Sequence, residues 1–179
     1  MTTTEMLASM KRPHLAACAT FLFMLAGVVQ AQERRPDPVR LQGHVEQGQH
    51  IATATDRNSG NVLRAGCTQG MLGLNVTYGK DSPISGDVAF IFQTKGGDIV
   101  ATGVSLHHKG VAATRAGEAN HTNLAKAFQE IVSLGAKETM VVRINLVDGA
   151  RSSNIGQFDI SGSGSTRAMR PVLQECGLT

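Results

Sequence analysis

Three cysteines, Cys18, Cys67 and Cys176, constrain this 179-residue chain more than any other feature. The first of them falls in a stretch that reads as an export address. Lys11, Arg12 and His14 give a charged start, Leu15 to Val29 form an apolar run, and Val29-Gln30-Ala31 places small residues at minus three and minus one of a signal-peptidase site. The expectation is a signal peptide over residues 1–31 and a mature chain from Gln32. The apolar run is shorter than the roughly 20 residues that cross a bilayer, so no integral membrane segment is expected after cleavage. Leu15-Ala16-Ala17-Cys18 looks like a lipoprotein box, but the apolar segment should precede such a cysteine, and here Phe21 to Leu25 follows it.

Cys67 and Cys176 then form an even pair in a chain bound for the periplasm or the exterior, where thiols oxidise. A disulfide between them is expected, with two separate free thiols as the alternative. It would close a loop of 109 residues, for which the chain-entropy model assigns about 4 to 5 kcal/mol. Closure at that separation ties the front of the folded region to its last helix.

Loss of the leader also changes the charge. Lys11, Arg12 and Glu5 leave with it, so of 17 basic and 14 acidic residues 15 and 13 remain. Arg34, Arg35 and Arg40 belong to the segment that follows, which leaves the folded part near neutrality and without the basic face that a phosphate backbone requires. One tyrosine and no tryptophan offer few stacking platforms for single strands, so nucleic acid is not an expected partner.

Residues 32–48 join like charges, two prolines and three glutamines with almost nothing apolar, and the expectation there is a flexible leader. From residue 49 to 179 the pattern is that of one domain. His50 to Thr55 and Asn61 to Cys67 read as a hairpin around Arg57-Asn58-Ser59-Gly60. Met71 to Tyr78 alternates, Gly79 to Pro83 breaks it, and Val88 to Gln93 is the most apolar strand. Ile99 to Leu106, Val111 to Thr114, Met140 to Val147 and Asn154 to Ile160 supply further strands. Leu124, Ala127, Phe128, Ile131, Val132 and Leu134 recur at helical spacing, with Asn120 or Thr122 as cap and Gly135 as a left-handed stop. A last helix runs from about Thr166 to Glu175 after a flexible Gly162-Ser163-Gly164, with Pro171 as a kink or a later start. The fold class read from this is α+β, an antiparallel sheet with one central helix and a C-terminal helix, closed by the disulfide.

No residues assemble into a catalytic set. His107-His108 with His121 lacks a supporting carboxylate or cysteine, and neighbours on a strand point to opposite faces. Ser105 near His107 makes no triad, and Asp87, Asp98, Glu118 and Asp159 fall in separate turns or strand ends. Gly162-Ser163-Gly164-Ser165 lacks the lysine of a phosphate cradle and reads as a linker. No catalytic residue, metal ligand or cofactor is therefore expected. Arg143, in an otherwise apolar strand, and Asp159, in the strand expected beside it, predict a cross-strand ion pair, the alternative being an Arg143 that faces solvent.

The order of pieces resembles the type VI secretion-associated VasI/TagO family of exported bacterial proteins. The similar features are Leu63-Arg64-Ala65-Gly66-Cys67, the strand meander, the helix near Phe128 to Leu134, Met140-Val141-Val142-Arg143, and the ending Phe158-Asp159-Ile160-Ser161-Gly162 with Ala168 to Leu173 and Cys176. The chain departs from that pattern in lacking a tryptophan, with Val104-Ser105-Leu106 in its place, and in the extra Ser-Gly stretch after Gly162. The resemblance implies a non-enzymatic accessory protein, periplasmic or secreted, that binds another envelope or secretion-system protein. An envelope enzyme using His107 or His121 is one alternative. A structural envelope component, similar to the invasion-associated exported proteins with their leader, β-rich domain and cysteine pair, is the other.

Overall fold

The computed structural model describes residues 37–79 and 85–178. The expected signal peptide, the start of the leader and most of the break before Pro83 lie outside them. Ten strands follow in order: β1 (Val39–Arg40), β2 (Gln42–Glu46), β3 (Gln49–Thr55), β4 (Val62–Thr68), β5 (Met71–Thr77), β6 (Gly86–Thr94), β7 (Gly97–Leu106), β8 (Val111–Thr114), β9 (Thr139–Asp148) and β10 (Arg151–Ser161). Two helices accompany them, α1 (Glu118–Ser133) between β8 and β9, and α2 (Ser165–Glu175) after β10. The inner strands bury every second side chain, as in Leu63, Ala65 and Cys67 of β4 or Val88, Phe90 and Phe92 of β6, because successive side chains of an extended backbone point to opposite faces.

All ten strands form one sheet in the order β1-β10-β9-β6-β7-β8-β5-β4-β3-β2. Its two outermost members, β1 and β2, are consecutive in the chain and separated only by the buried Leu41. Val39 and Arg40 pair in parallel with Ile160 and Ser161 of β10, whereas Gln42 to Glu46 pair antiparallel with β3. One short segment therefore touches both sides of the sheet and draws it nearly into a barrel around Phe90, Phe92, Val142, Ile144, Phe158 and Ile160.

This corrects the expected α+β class. Strand makes up 53% and helix 22% of the described residues, so the architecture is a nearly closed, barrel-like β-structure with two accessory helices and not a sheet layered on a central helix. The flexible leader over residues 32–48 is corrected as well. Within it β1 and β2 supply the closing segment. Gln47 and Gly48, with φ of 50° and 80°, make the two-residue turn of positive φ that a tight hairpin requires. Gln69-Gly70 repeats the device between β4 and β5, with φ of 53° and 76°.

The helix α1 sits where the sheet splits. β8 spans only four residues, from Val111 opposite Leu106 to Thr114 opposite Gly103, and it pairs with only Asn75 to Thr77 of β5. Beyond it the backbones of β5 and β7 have no strand between them, and side chains from the start of α1 take its place. Asn120 accepts a hydrogen bond from the Thr102 N–H at 2.9 Å and donates to the carbonyls of Thr102 at 2.9 Å and Arg115 at 2.7 Å. Asn123 donates to Val100 O at 2.8 Å. On the other side, the Leu74 N–H donates to Thr114 Oγ1 at 3.0 Å and the Leu72 N–H to His121 Nδ1 at 3.1 Å. These bonds satisfy backbone groups that burial would otherwise penalise. Phe128 then meets Phe92 edge to face, with ring centroids 6.3 Å apart.

Two details of the helices differ from expectation. α1 begins at Glu118 after Gly117 and ends at Ser133, with Leu134 and not Gly135 as its cap. Gly162 is the glycine that close approach requires: a Cβ on it would fall on the Gly135 carbonyl. The Gly162 to Ser165 segment is correspondingly a fixed turn and not a linker. Ser165 is buried and its Oγ donates to Gly162 O at 2.8 Å, while Gly164 enters α2 with φ of 85°. α2 runs through Pro171 from Ser165, earlier than a start near Arg170 would have it.

Removing the amide of Asn120 leaves the Thr102 N–H and the Arg115 carbonyl without that partner, while the Thr102 carbonyl keeps the Arg115 N–H at 2.9 Å. Asn120→Ala is expected to lower the unfolding free energy by on the order of 3 kcal/mol, read as a shift of the denaturant midpoint at unchanged slope. Tyr78 gives a second expectation. Its hydroxyl is buried without a hydrogen-bond partner, and burial pushes the phenol up to about 12. A folded value above the unfolded one, about 10, means that the neutral phenol stabilises the fold fully below pH about 10 and that this contribution disappears as pH rises through about 12. Absorbance of this sole tyrosine should titrate near 12 in the folded chain, and Tyr78→Phe should be at least as stable as the parent at neutral pH and lose the alkaline limb.

Candidate functional site

Where β2 runs past the end of β10, α2 crosses beneath it. A cleft of about 440 Å³ opens between the two elements. One wall is Leu41, Gly43 and Val45 from the closing segment, and the other is Arg167, Ala168 and Pro171 from α2. The three α2 residues, with Gly164, lie on a single helical stripe because side chains three and four apart share a face. Gly43 has a steric reason to be glycine: a Cβ there would come within 3.0 Å of Ala168 Cα.

The helical wall is held at both ends. Thr166 Oγ1 donates to Val132 O at 2.7 Å, tying the first turn of α2 to the end of α1. At the other end Cys176 is bridged to Cys67 of β4, with Cα atoms 5.6 Å apart. Glu175 Oε2 accepts from the His50 N–H at 2.8 Å. Sequence and structure agree on the disulfide, which connects the last turn of α2 to the strand next to the β2–β3 hairpin.

The charge of the cleft is one-sided. Its ionisable lining is Arg167, His44 and His50, with no carboxylate among the residues that line it. The two acids at its ends are occupied. Arg64 bonds Glu46 at 2.6 Å and holds its carboxyl below the usual range, with His44 at 3.7 Å adding to this. Glu175 serves the His50 amide. Val45, 61% exposed, is the most exposed of the large apolar side chains described. A second hollow, about 620 Å³, lies between the start of β1 and the end of β3. It interleaves Asp37 and Asp56 with Arg40 and Arg57 and so has no single sign.

The predicted pair of Arg143 and Asp159 does not form. The strands are neighbours, but Arg143 lies opposite Gln157 and Asp159 opposite Val141, after β10 shifts register between Asn154 and Gly156. Asp159 instead accepts from Gln157 Nε2 at 2.9 Å, and Arg143 Nε is buried without a hydrogen-bond partner. The histidines are dispersed. His107 and His108 are not strand residues but form a short 3-10 turn with Lys109 before β8, and His121 lies beyond the other end of β8, bonded to Leu72. Ser105 points into the core. Among the described residues no three His, Cys, Asp or Glu side chains are grouped so as to hold a metal, and no helix is long and apolar enough to cross a membrane.

Sequence reasoning missed the cleft because both β2 and its turn fell in the supposed leader. The available signal was Gln47-Gly48, the dipeptide that recurs at Gln69-Gly70. Opening the bridge should loosen the helical wall and the whole fold together. Cys176→Ser is expected to lower the unfolding free energy by about 2 to 5 kcal/mol, and reductant should lower the melting midpoint of the parent but not of the variant. No protein-family model, curated protein or solved structure matches the chain.

Proposed function

We propose that this chain is a non-enzymatic accessory protein of the bacterial periplasm or exterior, which binds another envelope or secretion-system protein by surface contact. The observation that carries this reading is the cleft itself, an open strand edge set beside a helix that is fixed at both ends. That arrangement suits recognition of a polypeptide. The groups that chemistry would recruit have other employment: Cys67 and Cys176 form the bridge, His121 accepts the Leu72 N–H, and Ser105 lies in the core. The bridge also fits an oxidising compartment, as does the leader read from residues 1–31. Resemblance to the VasI/TagO proteins adds the secretion-system partner class.

Site-specific photo-crosslinking in the host envelope tests this. A photoreactive residue placed in turn at Val45, Val100 and Val147, the exposed large apolar positions, should capture a discrete second protein from at least one of them. His107→Ala should leave that adduct intact. Absence of an adduct at all three positions, or its loss with His107→Ala, would overturn the reading.

A further inference from the structure

The cleft identifies what kind of chain it would take. β2 pairs with β3 alone. Because the turn between them has two residues, Glu46 and Gln49 form the hydrogen-bonded pair that closes the hairpin, and bonded and non-bonded pairs alternate from there. Val45 opposite His50 and Gly43 opposite Ala52 are thus non-bonded pairs. The N–H and C=O groups of Val45 and Gly43 point away from β3, along the edge that borders the cleft. The same alternation turns the His50 N–H away from β2, and it is indeed found on Glu175.

We propose that this edge receives an extended acidic segment of a partner protein, added as a further strand beside β2 with its carboxylates toward Arg167. This rests on the protein-binding reading above and specifies its surface and ligand chemistry. Backbone bonds to Gly43 and Val45 would supply register, and side chains on alternate positions would meet different walls. Ala168 and Pro171 offer an apolar wall. Arg167 supplies a cation that makes no ion pair among the described residues, and His44 and His50 also line the cleft. A basic segment would meet the like charge of the Arg167 guanidinium there. The volume, about 440 Å³, lies in the ordinary range for a specific site and suits a short stretch of chain.

The test uses the oxidised mature protein and a fluorescein-labelled heptapeptide of alternating Val and Glu, compared with one in which Lys replaces Glu. The Glu peptide should bind at least tenfold more tightly than the Lys peptide. Arg167→Glu should weaken it at least tenfold. Val45→Pro, which removes an N–H that β3 does not use, should do the same with the melting midpoint held. Independently of any variant, the amide resonances of Gly43 and Val45 should shift on peptide addition. Equal binding of the two peptides, no measurable binding of either, no loss with either variant, or amide shifts confined to other strands would overturn the proposal. So would a dimer in sedimentation that Val45→Pro splits, since a second copy would then be the occupant. Crosslinks from Val100 or Val147 without Glu-peptide binding would sink this proposal alone and leave the protein-binding reading in place.

Discussion

Everything in this fold depends on the segment from Val39 to Glu46, which pairs with β10 through its first residues and with β3 through its last. A sheet of this size has two open edges, and unpaired edges recruit other chains. Here one stretch of backbone pairs with the end of β10 through β1 and with β3 through β2, leaving the outer side of β2 open. The single residue between its halves, Leu41, is buried, so the segment is anchored at its midpoint by the same core that the sheet encloses. Right-handed strand twist makes a sheet curl. The closing segment converts that tendency into a near-barrel.

The helices follow from what the barrel leaves undone. β8 is too short to keep β5 and β7 joined along their length, and the cost of the exposed backbone is met by Asn120, His121, Asn123 and Thr114. Backbone groups are thus paired by side chains where no strand reaches, which explains why amides and a histidine cluster at the head of an otherwise apolar helix. α2 performs the corresponding service at the open end, covering the core with Met169, Val172 and Leu173. Its connection to β10 is tight because Gly162 packs directly on Gly135.

Much of this was legible in the sequence, for physical reasons that can be named. β3 to β10 alternate at period two, and the apolar stripe of α1 repeats at helical spacing, so both were found close to their bounds. The cysteine pair was found by counting. What escaped detection was β2, whose five residues are all exposed and therefore carry no alternation. Its membership in the sheet is decided by backbone pairing and by a Gln-Gly turn, neither of which leaves a hydrophobic trace. The barrel went unseen with it, since without β1 and β2 the remaining strands describe an open sheet. The Arg143 and Asp159 pairing failed on register: Arg143 lies opposite Gln157, two residues short of Asp159, and alternation along two strands does not reveal the stagger between them.

The exposure of β2 bears on function as well as on prediction. A bare edge invites indiscriminate pairing, and proteins blunt such edges by keeping them short and charged. β2 is short, its end carries Glu46 held by Arg64, and Arg167 stands over its open side. On the proposed reading these features would admit one backbone and discriminate by charge, since an approaching strand would meet Arg167 in a space bounded by a helix held at both ends. The disulfide at Cys176 and the Thr166 bond to Val132 are what hold it. On the proposed reading the covalent closure and the selectivity of the edge are one device: the staple that stabilises the fold also holds the α2 wall of the cleft beside the β2 edge.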